Sequence, residues 1–252
     1  FKKIDNIMMN GIAKWNDSTK ERSSLGEGVN GVVYTIFVKD EMVYIRGIFT
    51  VDDCPAIKNI AGWNGVSFFP VGGGIDGNVL SITQYNGDII AGGSFDNFGQ
   101  KVVNNIVRWD GAEWQPLGIS PNVGTNGVVA AMDVLSGDLY VGGFFSLAGG
   151  KTVNHIAKYD GNDWSELAGG VDGNIQSLQA HGNKLYIGGN FEKAGGTDVN
   201  YAAVWDGSKW EGFGSGLPGR VVSISVYDDE IVACGGFSRL VRRWNGSEWS
   251  LL

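Results

Sequence analysis

Leu139-Tyr140-Val141-Gly142-Gly143-Phe144-Phe145, followed by Asn154-His155-Ile156-Ala157-Lys158-Tyr159-Asp160-Gly161 and then Trp164, is the stretch whose reading decides the fold. Its β-branched and aromatic run ends in Gly-Gly, and its second run ends in Asp-Gly, so both read as strands closed by turns. Working outward, Val128–Val134, Asp138–Phe144, His155–Tyr159 and Asp163–Leu167 form four short antiparallel strands, with Ser136-Gly137 and Asp160-Gly161 as tight turns. A helix has no place here, because no segment keeps a 3.6-residue period without being cut by glycine.

The same text recurs along almost the whole chain. Phe49, Phe95, Phe145, Phe191 and Phe237 each stand two residues after a glycine (Gly47, Gly93, Gly143, Gly189, Gly235). Fourteen residues beyond the first four come Trp63, Trp109, Tyr159 and Trp205, and Phe1 to Trp15 has the same interval. A second ring follows five residues later at Phe68, Trp114, Trp164 and Trp210, with Trp249 after Trp244. The anchors Trp15, Trp63, Trp109, Tyr159, Trp205 and Trp244 are therefore 48, 46, 50, 46 and 39 residues apart. Four strands at that period are the signature of propeller blades. A column of small residues (Thr35, Ser81, Ala131, Ser177, Ser223) marks first strands crowding an axis. Val33 and Ile36, and their counterparts in the other repeats, are placed to pack blade on blade.

The expected fold is thus all-β, a propeller of four-stranded antiparallel blades in one domain, 1–252, with complete blades at 31–70, 77–117, 127–167, 173–213 and 219–252. Residues 1–25 match only the second half of a blade. Six blades with one incomplete is the preferred reading, since an unpaired sheet edge calls for a partner. Upstream residues or another chain would complete the sixth. A ring of five with an appended half-blade is the alternative.

The second strand ending in Gly-Gly (Gly92-Gly93, Gly142-Gly143, Gly188-Gly189), with an aromatic on the third strand and a Trp on the fourth, resembles the kelch repeat. The fuller text is similar to repeats of fungal cortical cell-polarity markers and bacterial secreted repeat proteins. The resemblance implies the propeller fold and leaves activity open. Arg46 and Cys234 depart from it by replacing the first glycine. Galactose oxidase, a kelch-type enzyme, needs copper ligands including His and Tyr, and no matching cluster exists here.

Composition agrees with a turn-rich, strand-rich protein: 41 Gly against 5 Pro, with 9 Trp and 12 Phe. A net charge of −8 with scattered Lys and Arg argues against nucleic acid or an anionic membrane surface as partner. No run of about 18 apolar residues is present, so no membrane insertion is expected. At this length the buried core suffices, and neither a cofactor nor a metal is implied.

Each chemistry-bearing feature has an architectural reading that outweighs it. His155 occupies a position held elsewhere by Asn59, Asn105 and Tyr201, and His181 is likewise an ordinary strand or turn residue. Cys54, placed in the loop after a second strand, and Cys234 could pair only if the first and last blades are neighbours. The Trp-Asp-Gly and Trp-Asn-Gly runs suit tight connections flanked by cross-strand ring pairs. Asp52-Asp53 and Asp228-Asp229 read as solvated turns and not as calcium loops. Gly149-Gly150-Lys151 lacks the rest of a phosphate loop. Asn16-Asp17-Ser18 and Asn245-Gly246-Ser247 fit the N-glycosylation pattern.

Loops after second and fourth strands share one face of a propeller, and residues that break the repeat there are the binding candidates. They are Asp52, Asp53, Asn97, Phe98, Lys101, Pro121, Asn122, Thr125, Lys151, Lys193 and Asp198. The expected function is a non-catalytic extracellular or cell-surface recognition or scaffold module for a protein or glycan ligand. A lectin with one site per blade, an adhesive component of a surface assembly, and a hydrolase or lyase in the central depression are the alternatives.

Overall fold

The computed structural model describes residues 2–4, 7–39, 41–98, 100–237 and 241–252. Phe1, which opens the interval to Trp15, lies outside them. Among the described residues every regular element is a strand. Five four-stranded antiparallel sheets follow one another along the chain. Blade 1 is Asn30–Lys39, Met42–Val51, Cys54–Trp63 and Phe68–Pro70; blade 2 is Asn78–Tyr85, Asp88–Ser94, Ile106–Trp109 and Trp114–Pro116. Blade 3 is Val128–Leu135, Asp138–Phe144, Ile156–Tyr159 and Trp164–Glu166; blade 4 is Asn174–His181, Lys184–Asn190, Ala202–Trp205 and Trp210–Gly212. Blade 5 is Val221–Tyr227, Glu230–Gly235, Val241–Trp244 and Trp249–Leu251. Ahead of them Ala13–Asn16 pairs with Glu21–Ser24 as a two-stranded half-blade. The chain is a β-propeller.

The two glycines of Gly-Gly are required for different reasons. A side chain at the second, Gly93 or Gly143, would stand 1.9 or 2.1 Å from the carbonyl oxygen of Asn78 or Val128 on the neighbouring strand. This crowding accompanies a bulge in every blade, at Val33/Thr35, Gly92/Gly93, Val129/Ala131, Ile175/Ser177 and Val221/Ser223. The first glycine faces the next blade: a Cβ on Gly92, Gly142 or Gly188 would meet Val129, Ile175 or Val221 at 2.4 to 2.7 Å. Where Arg46 replaces that glycine, its guanidinium reaches across to the Val79 carbonyl at 3.0 Å, and burial lowers its pKa to about 10.

The hydrophobic core lies in layers between successive blades. One layer joins the half-blade to blade 1 through Ile12, Leu25, Ile45 and Ala61, and another joins blades 3 and 4 through Tyr140, Ile156, Ile175 and Leu185. The small-residue column follows the bulges and ties blades together: the Ser177 hydroxyl accepts from Ile224 N at 3.1 Å, and the Gln179 amide oxygen accepts from Val226 N at 2.9 Å.

One detail corrects the sequence reading. Cys54 is the first residue of the third strand of blade 1, not a loop residue, because Val51 pairs with Cys54 across a two-residue Asp52-Asp53 turn. Cys54 and Cys234 are both free thiols.

Candidate functional site

The candidate face is assembled from small hairpins between second and third strands. They are Lys3–Ile4 with Ile7–Met8 in the half-blade, Asn97–Phe98 with Lys101–Val102, Leu147–Ala148 with Lys151–Thr152, and Lys193–Ala194 with Thr197–Asp198. Each is followed by an asparagine five residues before the ring of the third strand. Its side-chain amide donates to the connection that leads into the next blade. Asn10 reaches the Glu27 carbonyl at 2.7 Å, Asn104 that of Val123 at 3.0 Å, Asn154 that of Gly169 at 2.8 Å, and Asn200 that of Ser215 at 2.9 Å. The asparagine's own carbonyl accepts from Val29, Thr125, Val171 or Leu217 N in turn.

From that connection a second brace runs forward. The carboxamide oxygen of Asn126 accepts from Ser146 N and Leu147 N, and Asp172 Oδ1 accepts from Glu192 N and Lys193 N, all at 2.8 to 2.9 Å. Hairpins and connections thus alternate around the face, each fixed by its neighbours. The sequence reading missed this set of braces, although the constant five-residue interval from Asn10, Asn104, Asn154 and Asn200 to Trp15, Trp109, Tyr159 and Trp205 carried the signal.

On this scaffold the candidate residues fall into three groups. Lys101, Lys151 and Lys193 are held by carboxylates: Lys101 Nζ meets Glu113 Oε2 at 2.9 Å, Lys151 Nζ meets Asp163 Oδ2 at 2.5 Å, and Lys193 Nζ meets Asp198 Oδ1 at 2.5 Å. The lysine hydrogen bond is the main reason that the Glu113 and Asp163 carboxyls titrate below their ordinary range, and Asp198 raises Lys193. Phe98 is half-buried against Trp114, with ring centres 6.4 Å apart. Thr125 is buried and its hydroxyl donates to the Gly127 carbonyl at 2.7 Å. Asp52, Asp53, Asn97, Pro121 and Asn122 stand exposed, Asp52 accepting from the Asn30 amide at 2.5 Å.

The rings of the Trp-Asp-Gly runs are structural neighbours across the outer strand pair. Trp63 pairs with Phe68, Trp109 with Trp114, Tyr159 with Trp164, Trp205 with Trp210 and Trp244 with Trp249, their centres 4.8 to 5.6 Å apart. Trp114 and Trp164 are 0% and 1% exposed. Trp114 and Trp210 each donate an indole N–H at 3.1 Å to a carbonyl in the connection from the preceding blade, Val71 and Leu167 respectively. Asp110, Asp160 and Asp206 each accept two turn N–H groups, which lowers their pKa, to about 2 for Asp206.

The two histidines are far apart in role. His155 adopts a positive φ of 61°, as Asn105 and Tyr201 do at the same point, and burial lowers its pKa. His181 lies at the opposite end of the blades, where its Nε2 is 2.9 Å from Asp229 Oδ1. Among the described residues no group of three His, Cys, Asp or Glu side chains could hold a metal ion, and no helix is long and apolar enough to cross a membrane.

The fold has relatives of known structure. YjhT is 13% identical, with a TM-score of 0.53 over 85% of this chain and 81% of its own. The computationally designed Ika8 protein, also 13% identical, gives a TM-score of 0.49 over 93% of this chain and 77% of its own. At such identity YjhT attests the architecture alone. No curated protein matches the sequence. The model of the Rax2 C-terminal beta propeller domain matches residues 102–251, blades 3 to 5 and the outer two strands of blade 2. This chain therefore belongs to the Rax2 C-terminal beta propeller domain family.

Proposed function

We propose that this propeller is a non-catalytic recognition and scaffold domain that offers its braced loop face to a protein or glycan ligand at the cell surface. The observation that carries the reading is the bracing itself. Asn10, Asn104, Asn154 and Asn200 lock four hairpins to the neighbouring connections, so exposed side chains such as Asn97 and Pro121 stand on a rigid base. Preorganised loops lose little entropy on binding, which favours recognition. The three lysine–carboxylate pairs of the face hold the Glu113 and Asp163 carboxyls down and the Lys193 ammonium up, opposite to the shifts that a general acid or base working near neutrality needs. The outer rings pack in pairs, with Trp114, Tyr159, Trp164, Trp205 and Trp210 buried and the others half-buried, which favours an irregular binding face over a lectin with one stacking site per blade. The cell-surface setting rests on the likeness to fungal cortical polarity markers.

Fluorescently labelled domain on intact fungal cells tests this. Replacing Asp53, Lys151, Lys193 and Asp198 by alanine should lower bound signal at least tenfold, while alanine at Asn86, Ser136 and Lys209 on the opposite face leaves it unchanged. No binding by the unaltered domain, or the reverse pattern between the two variants, sinks the reading.

A further inference from the structure

The half-blade leaves a seat that the other blades fill. In blades 2, 3 and 4 the third strand pairs on its inner edge with the second strand, as in Gly92↔Ile106, Gly142↔Ile156 and Gly188↔Ala202. Ala13–Asn16, the equivalent third strand, pairs among the described residues with Glu21–Ser24 on its outer side. Beside it, the first strand of blade 1 is open on the face that should meet a preceding blade. Ile36 is 52% exposed, whereas its counterparts Ile82, Met132, Leu178 and Ile224 are 3 to 8% exposed. A groove of about 640 Å³ runs between the two strands, lined by Ile4, Ile12, Ala13, Val33 and Ile36.

We propose that this groove seats a two-stranded hairpin of the same repeat type, supplied by the polypeptide that precedes residue 1 in the same protein. The path of the chain selects that donor. The Lys2 carbonyl accepts from Met9 N and Asn10 N as the Asp96 carbonyl accepts from Val103 N and Asn104 N, and the Glu192 carbonyl from Val199 N and Asn200 N. Asp96 and Glu192 each come two residues after a second strand, which ends at Ser94 or Asn190. The chain at Lys2 is thus at the point where a second strand hands over to its hairpin. The incoming outer strand pairs antiparallel with Ala13–Asn16, and the inner strand lies over Val33, Ile36 and Val38. Opposite Val33 the outer strand of the hairpin carries glycine, as the second-strand residues Gly92, Gly142 and Gly188 do opposite Val129, Ile175 and Val221, or a long side chain that turns aside as Arg46 does at Val79. Blade 5 offers the hairpin a matching wall: Ser223 and Ser225 are exposed where Ser177 and Gln179 grip the backbone of the following blade.

Hydrogen exchange read by mass spectrometry decides it, comparing the 252-residue chain with the parent protein that retains its upstream residues. Amides in Ala13–Asn16 and Val32–Val38 should exchange at least a hundredfold more slowly in the longer protein. Ile36→Asp should leave the melting temperature of the 252-residue chain within about 1 °C, because the side chain is already half in water. The same substitution should lower that of the longer protein by about 5 °C or more, because there it is buried. Equal exchange in both proteins, or an equal effect of Ile36→Asp, overturns the proposal. Protection of the shorter chain that grows with its concentration assigns the groove to a second copy, and protection conferred by a downstream extension assigns it to the other end; either overturns the upstream donor.

Discussion

Single residues set the backbone geometry on which every blade depends. Gly93 stands against the Asn78 carbonyl, and its N–H donates to the Asn105 carbonyl at 2.9 Å, so neither strand can retreat. Gly93→Ala should destabilise the domain by about 3 kcal/mol, at the upper end of overpacking costs, as read by urea unfolding. The turn carboxylates respond to pH instead. Asp206 has a folded pKa of about 2 against an ordinary 3.8, because Lys209 N and the Ser208 hydroxyl and N–H hold its charged form. A depressed carboxylate pKa contributes stability above the unfolded value, and that contribution is lost as pH falls from 3.8 towards 2. Asp206→Asn should therefore shallow the acid limb of a melting-temperature profile. At pH 7 it should change little, since Asn64 and Asn245 hold the same two turn N–H groups in sister blades.

At the scale of the element, the outer strand pair works as a unit of two rings and one turn. Trp164 fills the space between blades 2 and 3 with Leu117, Phe145 and Tyr159. Trp164→Ala should cost about 3–5 kcal/mol, the range for emptying a large aromatic site. The loop-face ion pairs are another matter. Lys151 and Asp163 are each at least half exposed, so water screens them. Lys151→Met should alter stability by less than about 1 kcal/mol in thermal unfolding, which leaves such lysines free to be exchanged for recognition without harm to the fold.

For the whole molecule, stability comes from layers shared between blades, so it should be greatest where a blade has neighbours on both sides. Amides of Val141 and Ile187, in the second strands of blades 3 and 4, should be the slowest to exchange. Those of Val32–Val38 and Val222–Tyr227, on the exposed first strands of blades 1 and 5, should be the fastest within strands. Uniform protection across the chain would show instead that the blades unfold as one unit.

The sequence by itself determined the strand order, the blade period and the ring pairs. Alternation of two, tight Asp-Gly turns and a fixed interval between aromatics are local constraints that repetition multiplies five times over. It also disclosed the half-blade, because the interval from Phe1 to Trp15 is that of the first four complete repeats. The tertiary structure alone decided three matters. It showed that the two glycines of one pair answer to different neighbours, one on the same sheet and one on the next blade. It moved Cys54 from a loop into a strand, because Val51 pairs with Cys54 across the Asp52-Asp53 turn. And it revealed the asparagine braces of the loop face, whose acceptors lie in a different blade. Contacts of that kind join residues that no local spacing brings together, and the packing of blade on blade fixes which of them meet.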